Sequence, residues 1–178
     1  MVVIGPESTG KSTLCAELAA ALDTVWIDEY AREYLTGLQH EFSQADLLRI
    51  AEGQLELERA AIDRANRLLI CDTNLHVIRV WSENKYGNTD LPILQYIAES
   101  NYDLYLLTDI DIPWEPDTLR EHPEPEMRAY FYRQYKDTVI NSGIPWVNIL
   151  GNPEQRLETA LNAIKKHLNI SHATTHSP

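Results

Sequence analysis

The chain has 178 residues, with 27 acidic side chains against 15 basic ones and a formal net charge of −12. That balance excludes non-specific nucleic-acid binding, which needs a basic surface to displace counterions, and works against docking on an anionic membrane. The length suits one domain with its own core, and no apolar run reaches the roughly 18 residues of a membrane span.

In chain order, "MVVIG" reads as a buried strand and "KSTLCAELAAAL" as a helix. "TVWID" is a second strand, followed by a helix "EYAREYLTGL" that ends at Gly37. A long helix follows, with Ser43 as its N-cap, Asp46 at the reciprocal capping position and Phe42 and Leu47 as a hydrophobic staple. Its expected apolar stripe is Leu48, Ala51, Leu55 and Ile62. "RLLICD" is a third strand, then come two helical stretches, "TNLHVIRVWSENKYG" and "LPILQYIAESN". "YDLYLLTD" and "IPWVNIL" are the fourth and fifth strands. The last helix, "NPEQRLETALNAIKKHL", has Asn152 as N-cap, Pro153 at its first position and a stripe of Leu157, Leu161, Ile164 and Leu168. Residues 1–168 are expected to form one domain and 169–178 a polar, frayed tail, with His172 and His176 too loosely placed to be ligands. Strands that read as apolar runs and alternate with helices predict an α/β fold with a parallel sheet covered on both faces.

Cys15 and Cys71 have no CxxC or metal spacing and fall in apolar patterns, as buried thiols do. A reducing, cytoplasmic setting follows, and a phosphate loop at residue 5 leaves no room for a signal peptide.

The stretch "GPESTGKST", between a strand and a helix, has the spacing of a phosphate-binding loop. Gly5, Glu7, Ser8, Thr9, Gly10, Lys11, Ser12 and Thr13 are its candidate nucleotide contacts. Glycines let the backbone wrap phosphates, and amides plus the helix N-terminus supply the positive field. Lys11 is expected at the β/γ-phosphates. Ser12 and Asp72, the latter at the end of the third strand, are the expected Mg²⁺ ligands; capping the next helix is the rival role for Asp72. Glu7 is expected to face away from the phosphates, because an inward carboxylate would repel a triphosphate.

Asp28 and Glu29 emerge from the second strand at the same sheet edge, where a carboxylate can take the proton of an attacking hydroxyl or bind the acceptor. Glu29 is slightly preferred, with Asp28 as the alternative base. Tyr30 and Arg32 lie beside them as acceptor contacts, or else Arg32 forms an i,i+3 ion pair with Glu29 on a surface helix. Residues 109–126 hold four prolines and dense charge and read as a mobile lid. Arg120 within it, and Arg128 and Arg133 in the following helix, are candidates for neutralising transferred charge, the last two equally well read as solvated charges of a helix face. Trp114 either stacks on a ring or anchors the lid. Gly151 and Asn152 after the fifth strand are candidates to hold adenine, or to cap the last helix.

"GPESTGKST", "EYAREYL", "LLICDTN", "TDIDIPWEPDTLR" and "GNPEQR", in this order over residues 1 to about 165, resemble the NadR-type ribosylnicotinamide kinase domain, an AAA_28-like group of P-loop ATPases. The resemblance implies a three-layer sandwich with a five-stranded parallel sheet of order 2-3-1-4-5. It implies ATP with Mg²⁺ as donor and the 5′-hydroxyl of a nucleoside, first of all nicotinamide riboside, as acceptor. The family's adenylyltransferase and repressor segments do not fit this length, so the kinase activity alone is expected. The family tends to carry an aromatic before Glu-Tyr-x-Arg-Glu; Asp28 stands there in this chain. Trp26, Trp81 or Tyr86 are candidates for the missing ring, and an acid suits a cationic pyridinium. Two other readings stand beside this one. A nucleotide switch would want Asn-Lys-x-Asp after the fourth strand, whereas Asn84-Lys85 lies elsewhere without the Asp. A kinase for a monophosphate would want several arginines near the acceptor, where Arg32 stands alone.

Overall fold

A computed structural model describes residues 1–170; residues 171–178, with His172 and His176, lie outside the described residues. The elements are β1 (Val2–Ile4), α1 (Lys11–Leu22), β2 (Trp26–Ile27), α2 (Tyr30–Thr36), α3 (Gln44–Ile62), β3 (Ile70–Asp72), α4 (Leu75–Tyr86), α5 (Leu91–Glu99), β4 (Tyr105–Thr108), α6 (Pro125–Asn141), β5 (Trp146–Ile149) and α7 (Pro153–Leu168). All strand pairs are parallel and the order is β2-β3-β1-β4-β5. The expected sheet is thus found.

Strand alternation sorts the two faces. Val3, Ile70, Leu104, Leu106 and Ile149 face Leu14 and Leu18 of α1 and Ala160 and Ile164 of α7. Val2, Ile4, Cys71, Tyr105 and Leu107 face Val77 and Val80 of α4 and Phe131, Tyr135 and Val139 of α6. Each such Leu, Ile or Val is worth about 1.5–3 kcal/mol on burial. A third cluster, with Ala31, Leu47, Ile50, Leu75 and Ile93, joins α2, α3, α4 and α5 beyond the β2 edge. Ile170 also packs into the first cluster, so the chain stays in the core past the expected end of the domain.

The α3 capping box forms as expected: the Asp46 carboxylate accepts from the Ser43 amide at 2.8 Å, and the Ser43 side chain accepts from the Asp46 amide. The Ser43 hydroxyl and amide, then the Tyr34 hydroxyl, hold the Asp46 carboxyl well below its usual range. The expected α3 stripe is out of phase. Leu47, Ile50, Ala51 and Gln54 face inward, Leu48 and Leu55 are only partly buried, and Ile62 is 63% exposed. Two polar residues decide that phase: buried Asp46 caps the helix, and buried Gln54 accepts from the Tyr30 amide at 2.9 Å. Apolar spacing alone offered two adjacent rows and no means to choose.

Candidate active site

A parallel sheet sends every strand end to one edge. Here that edge gathers residues 5–10 after β1, Asp28 and Glu29 after β2, Asp72 at the end of β3, Thr108 at the end of β4 and Gly151 after β5. The phosphate loop needs glycine at position 5, because a Cβ there would meet the Thr108 carbonyl oxygen at 2.8 Å and its hydroxyl closer still. Thr9 locks the same junction: its hydroxyl donates to the Pro6 carbonyl at 2.7 Å and lies 2.7 Å from the Thr108 hydroxyl. Gly10, left-handed at φ 76, caps α1, whose first turn carries no acid. The helix N-terminus therefore presents its field unopposed. Lys11 donates to the Pro6 carbonyl at 2.8 Å.

Two carbonyls of the loop, those of Ser8 and Thr9, are braced from outside it. Besides Lys11 on Pro6, the buried Arg128 donates to the carbonyls of Ser8 at 3.4 Å and Ile112 at 3.0 Å. The buried Arg156 donates to the carbonyls of Thr9 at 2.8 Å and Gly151 at 2.9 Å and pairs with Asp111. Arg128 is thus a brace under the loop and does not line the cleft, contrary to its expected place near the transferred phosphate; Arg133 is exposed on α6. Arg156 went unremarked in the sequence. Its one signal is a cation near a helix N-terminus, where the dipole opposes it. Arg156→Ala strips donors from three carbonyls, those of Thr9, Gly151 and Asp109, and a partner from Asp111, and should cost on the order of 3 kcal/mol of stability, read as a lower urea midpoint.

Ser12 donates to Asp72 Oδ2 at 2.5 Å, while the buried Asp72 Oδ1 has no partner among the described residues. Burial raises the Asp72 carboxyl above its usual value, opposed by Lys11 and the Ser12 hydrogen bond. A hydroxyl and a carboxylate with a spare buried oxygen are hard oxygen donors, and they fit Mg²⁺, which takes one or two carboxylates and fills its shell with water and phosphate. Asn74, and not Asp72, caps α4. Between them sits Thr73 at φ 69, a rare backbone for a β-branched residue. Its hydroxyl lies 3.5 Å from Glu29 Oε1.

Glu29 is partly buried and lines a cleft of about 950 Å³ that starts at the phosphate loop. Burial pushes its carboxyl up to about 7, with Asp72 adding and Lys11 and Arg32 opposing. Asp28 lines the same cleft from an exposed position. Leu57, Val77, Trp81, Phe131 and Tyr135 are among its apolar lining, and Glu33, Glu41 and Lys85 among its charged lining. Of the three rings proposed to replace the missing aromatic, Trp81 lines the cleft. Trp26 packs on the α1–α7 side of the sheet, and the Tyr86 hydroxyl donates to the Phe42 carbonyl. Tyr30 lines the cleft with its ring laid on Gly53 of α3, where a Cβ would overlap it. Arg32 pairs with Asp117 of the proline-rich segment at 3.0 Å and not with Glu29. The helix-surface pair is therefore replaced by a tie between α2 and that segment.

The segment itself, residues 109–124, lies against the phosphate loop. Trp114 does not line the cleft; its indole N–H donates to Glu7 Oε1 at 3.1 Å, so the anchoring role holds. Glu7 also accepts from the amides of Glu121 at 3.1 Å and His122 at 2.6 Å. Its carboxylate is turned to the segment after β4. Ser8 Oγ accepts from the Glu115 amide at 2.8 Å and from Arg120 at 3.3 Å, and Arg120 lines the cleft. Asn152 caps α7 by accepting from the Gln155 amide at 2.9 Å, and the Gly151 amide donates to Asp111 at 2.6 Å. Neither Gly151 nor Asn152 lines the cleft.

Against known proteins, the chain is 29% identical over 154 residues to the trifunctional NAD biosynthesis/regulator protein NadR of Salmonella typhimurium and, equally, of Escherichia coli. The match covers 84% of this chain and 37% of each relative, so the chain spans little more than a third of their length. Among solved structures it is similar to a NadR protein in complex with NR, with a TM-score of 0.74 and 23% identity over 96% of this chain and 50% of that one. It is also similar to thymidylate kinase from Candida albicans, with a TM-score of 0.67 and 17% identity over 94% and 91% of the two chains. Identities this low between structures establish a shared fold. The AAA_28 model, described as an AAA domain, matches residues 1–156, and the chain belongs to that family.

Proposed function

We propose that this chain is an ATP-dependent small-molecule kinase that transfers the γ-phosphate to a hydroxyl of a nucleoside, with nicotinamide riboside, giving nicotinamide mononucleotide, as the first candidate acceptor. One observation carries the reading: the phosphate loop, the Ser12–Asp72 pair and a Glu29 carboxyl that burial pushes up to about 7 line one cleft. The relatives' printed names point the same way, since NadR is named for NAD biosynthesis and one NadR structure holds NR.

Lys11, the loop amides and the α1 N-terminus hold the triphosphate. Mg²⁺, held by Ser12 and Asp72, would neutralise charge on its oxygens. Glu29 accepts the proton of the acceptor hydroxyl, whose oxygen bonds to the γ-phosphorus as the bond to the bridging oxygen breaks and ADP leaves. Arg120 stabilises the charge on the transferred group. Trp81, Phe131 and Tyr135 offer faces to a flat ring, and Asp28, Glu29, Glu33 and Glu41 favour a cationic one. A monophosphate acceptor is disfavoured, because Arg32 is paired with Asp117 and Lys85 with Glu41. Gly151 and Asn152 stand outside the cleft, bonded to Asp111 and Gln155, and act in this reading as the start of α7. The kinase domain runs at least to Ile170, which packs in its core, and the buried Cys15 and Cys71 thiols favour the cytoplasm. Among the described residues no helix is long and apolar enough to cross a membrane.

The test is ATP-dependent phosphorylation of a panel holding nicotinamide riboside, neutral nucleosides and nucleoside monophosphates. Turnover on the pyridinium riboside above the others supports the proposal. No acceptor raising ATP consumption above its basal rate would overturn it in favour of a regulatory ATPase, and preference for another hydroxyl compound would reassign the acceptor.

A further inference from the structure

Glu7 is the residue an anion-binding loop has least electrostatic reason to carry. Its three hydrogen bonds among the described residues all come from one place, the segment after β4: the Trp114 indole and the amides of Glu121 and His122. None comes from the loop itself. Donors to an ionised carboxylate make bonds roughly twice as strong as neutral ones, so a glutamate holds two peptide amides and an indole better than any neutral side chain of its length. The next loop residue continues the seam, since Ser8 Oγ accepts from the Glu115 amide and the Arg120 guanidinium. Arg120 also donates to the Glu115 carbonyl at 2.6 Å, which closes the turn between the two contact points. Arg120 is bonded directly to Glu121, whose amide Glu7 holds. The only arginine that the segment sends into the cleft is therefore pinned by its chain neighbours to the loop that holds the phosphates.

We infer that Glu7 is a positioning residue: its carboxylate docks residues 114–122 onto the phosphate loop and thereby sets the Arg120 guanidinium in place for the transferred phosphate. The kinetic half of this rests on the proposed kinase reading; the docking half does not. Arg128 is placed elsewhere: its Nη2 donates to the carbonyls of Ser8 and Ile112, and it does not line the cleft.

Two measurements on the full chain test it. Hydrogen exchange of the Glu121 and His122 amides should speed up at least tenfold in Glu7→Ala, and less in Glu7→Gln, which keeps one accepting oxygen. Unchanged protection of these amides overturns the docking. In a cycle of Glu7→Ala, Arg120→Ala and the double variant, read as ATP consumed with and without acceptor, Glu7→Ala should lower kcat about 10- to 100-fold with the ATP KM within about threefold. It should add nothing once Arg120 is gone. Multiplying effects, or a loss confined to the KM, overturn the positioning role. A wild-type chain that consumes ATP without phosphorylating any nucleoside overturns the proposed function alone, because the same cycle is then read on hydrolysis.

Discussion

Lys11→Ala is expected to lower phosphoryl transfer by about a thousandfold and to leave the fold intact. The lysine is the one cation among residues 5–13, and its amine rests on the Pro6 carbonyl at 2.8 Å. Removing it does not orphan that carbonyl, because the Thr9 hydroxyl donates to the same oxygen at 2.7 Å. Alanine is also the best helix former for the first position of α1. The loop geometry rests on the Gly5–Thr108 approach and on Arg128 and Arg156, none of which involves Lys11. The urea midpoint should therefore move by less than about 1 kcal/mol equivalent, while kcat collapses. Transfer retained at the wild-type rate would contradict the assignment of the loop; loss of the folded state would contradict the account of what braces it.

Glu29→Gln separates chemistry from stability in opposite directions. Losing a general base should lower transfer about 10²- to 10⁴-fold, with ATP affinity changed only a few-fold, since the carboxylate stands on the acceptor side. In the wild type the acid limb of the rate profile should fall off below about 7, where burial has placed the Glu29 carboxyl, and the variant should lack that limb. The sign for stability follows from the same shift. The folded value lies above the ordinary 4.5, so folding favours the neutral acid. That favour is complete below 4.5 and is lost as pH rises through about 7. Above it the fold carries an ionised, partly buried carboxylate at a cost on the order of 2 kcal/mol after screening. Glu29→Gln should thus be more stable than wild type by about that much at pH 8 and no different at pH 4. An equal gain at both pH values, measured by urea unfolding, would show that charge is not the cause.

These residues show which parts of the site the sequence makes legible. The phosphate loop, the acids after β2 and Asp72 all depend on local order: a strand, then a chemical residue at its carboxyl end, then a helix. Such order is written in neighbouring letters, as is the Ser43–Asp46 capping box. What was missed depends on partners far along the chain. The Arg156 guanidinium meets a carbonyl 147 residues away, Glu7 meets amides 114 and 115 residues away, and Arg32 meets Asp117 across 85. No spacing rule reaches such pairs. The α3 phase failed for a different reason, because Asp46 and Gln54 are polar yet buried, and a scan for apolar residues places both outside.

The Arg156 clasp also has a consequence for the order of synthesis. The phosphate loop is made well before the helix that braces it: one of its carbonyls is held by α7, 147 residues further along, and its strand is flanked by β3 and β4 from the middle of the sequence. At 5–20 residues per second the nascent chain would extend for roughly ten seconds or more between exposing the loop and delivering its clasp. During that interval the loop has its glycines and its lysine but not its shape. Nucleotide should therefore engage only chains whose α7 has emerged.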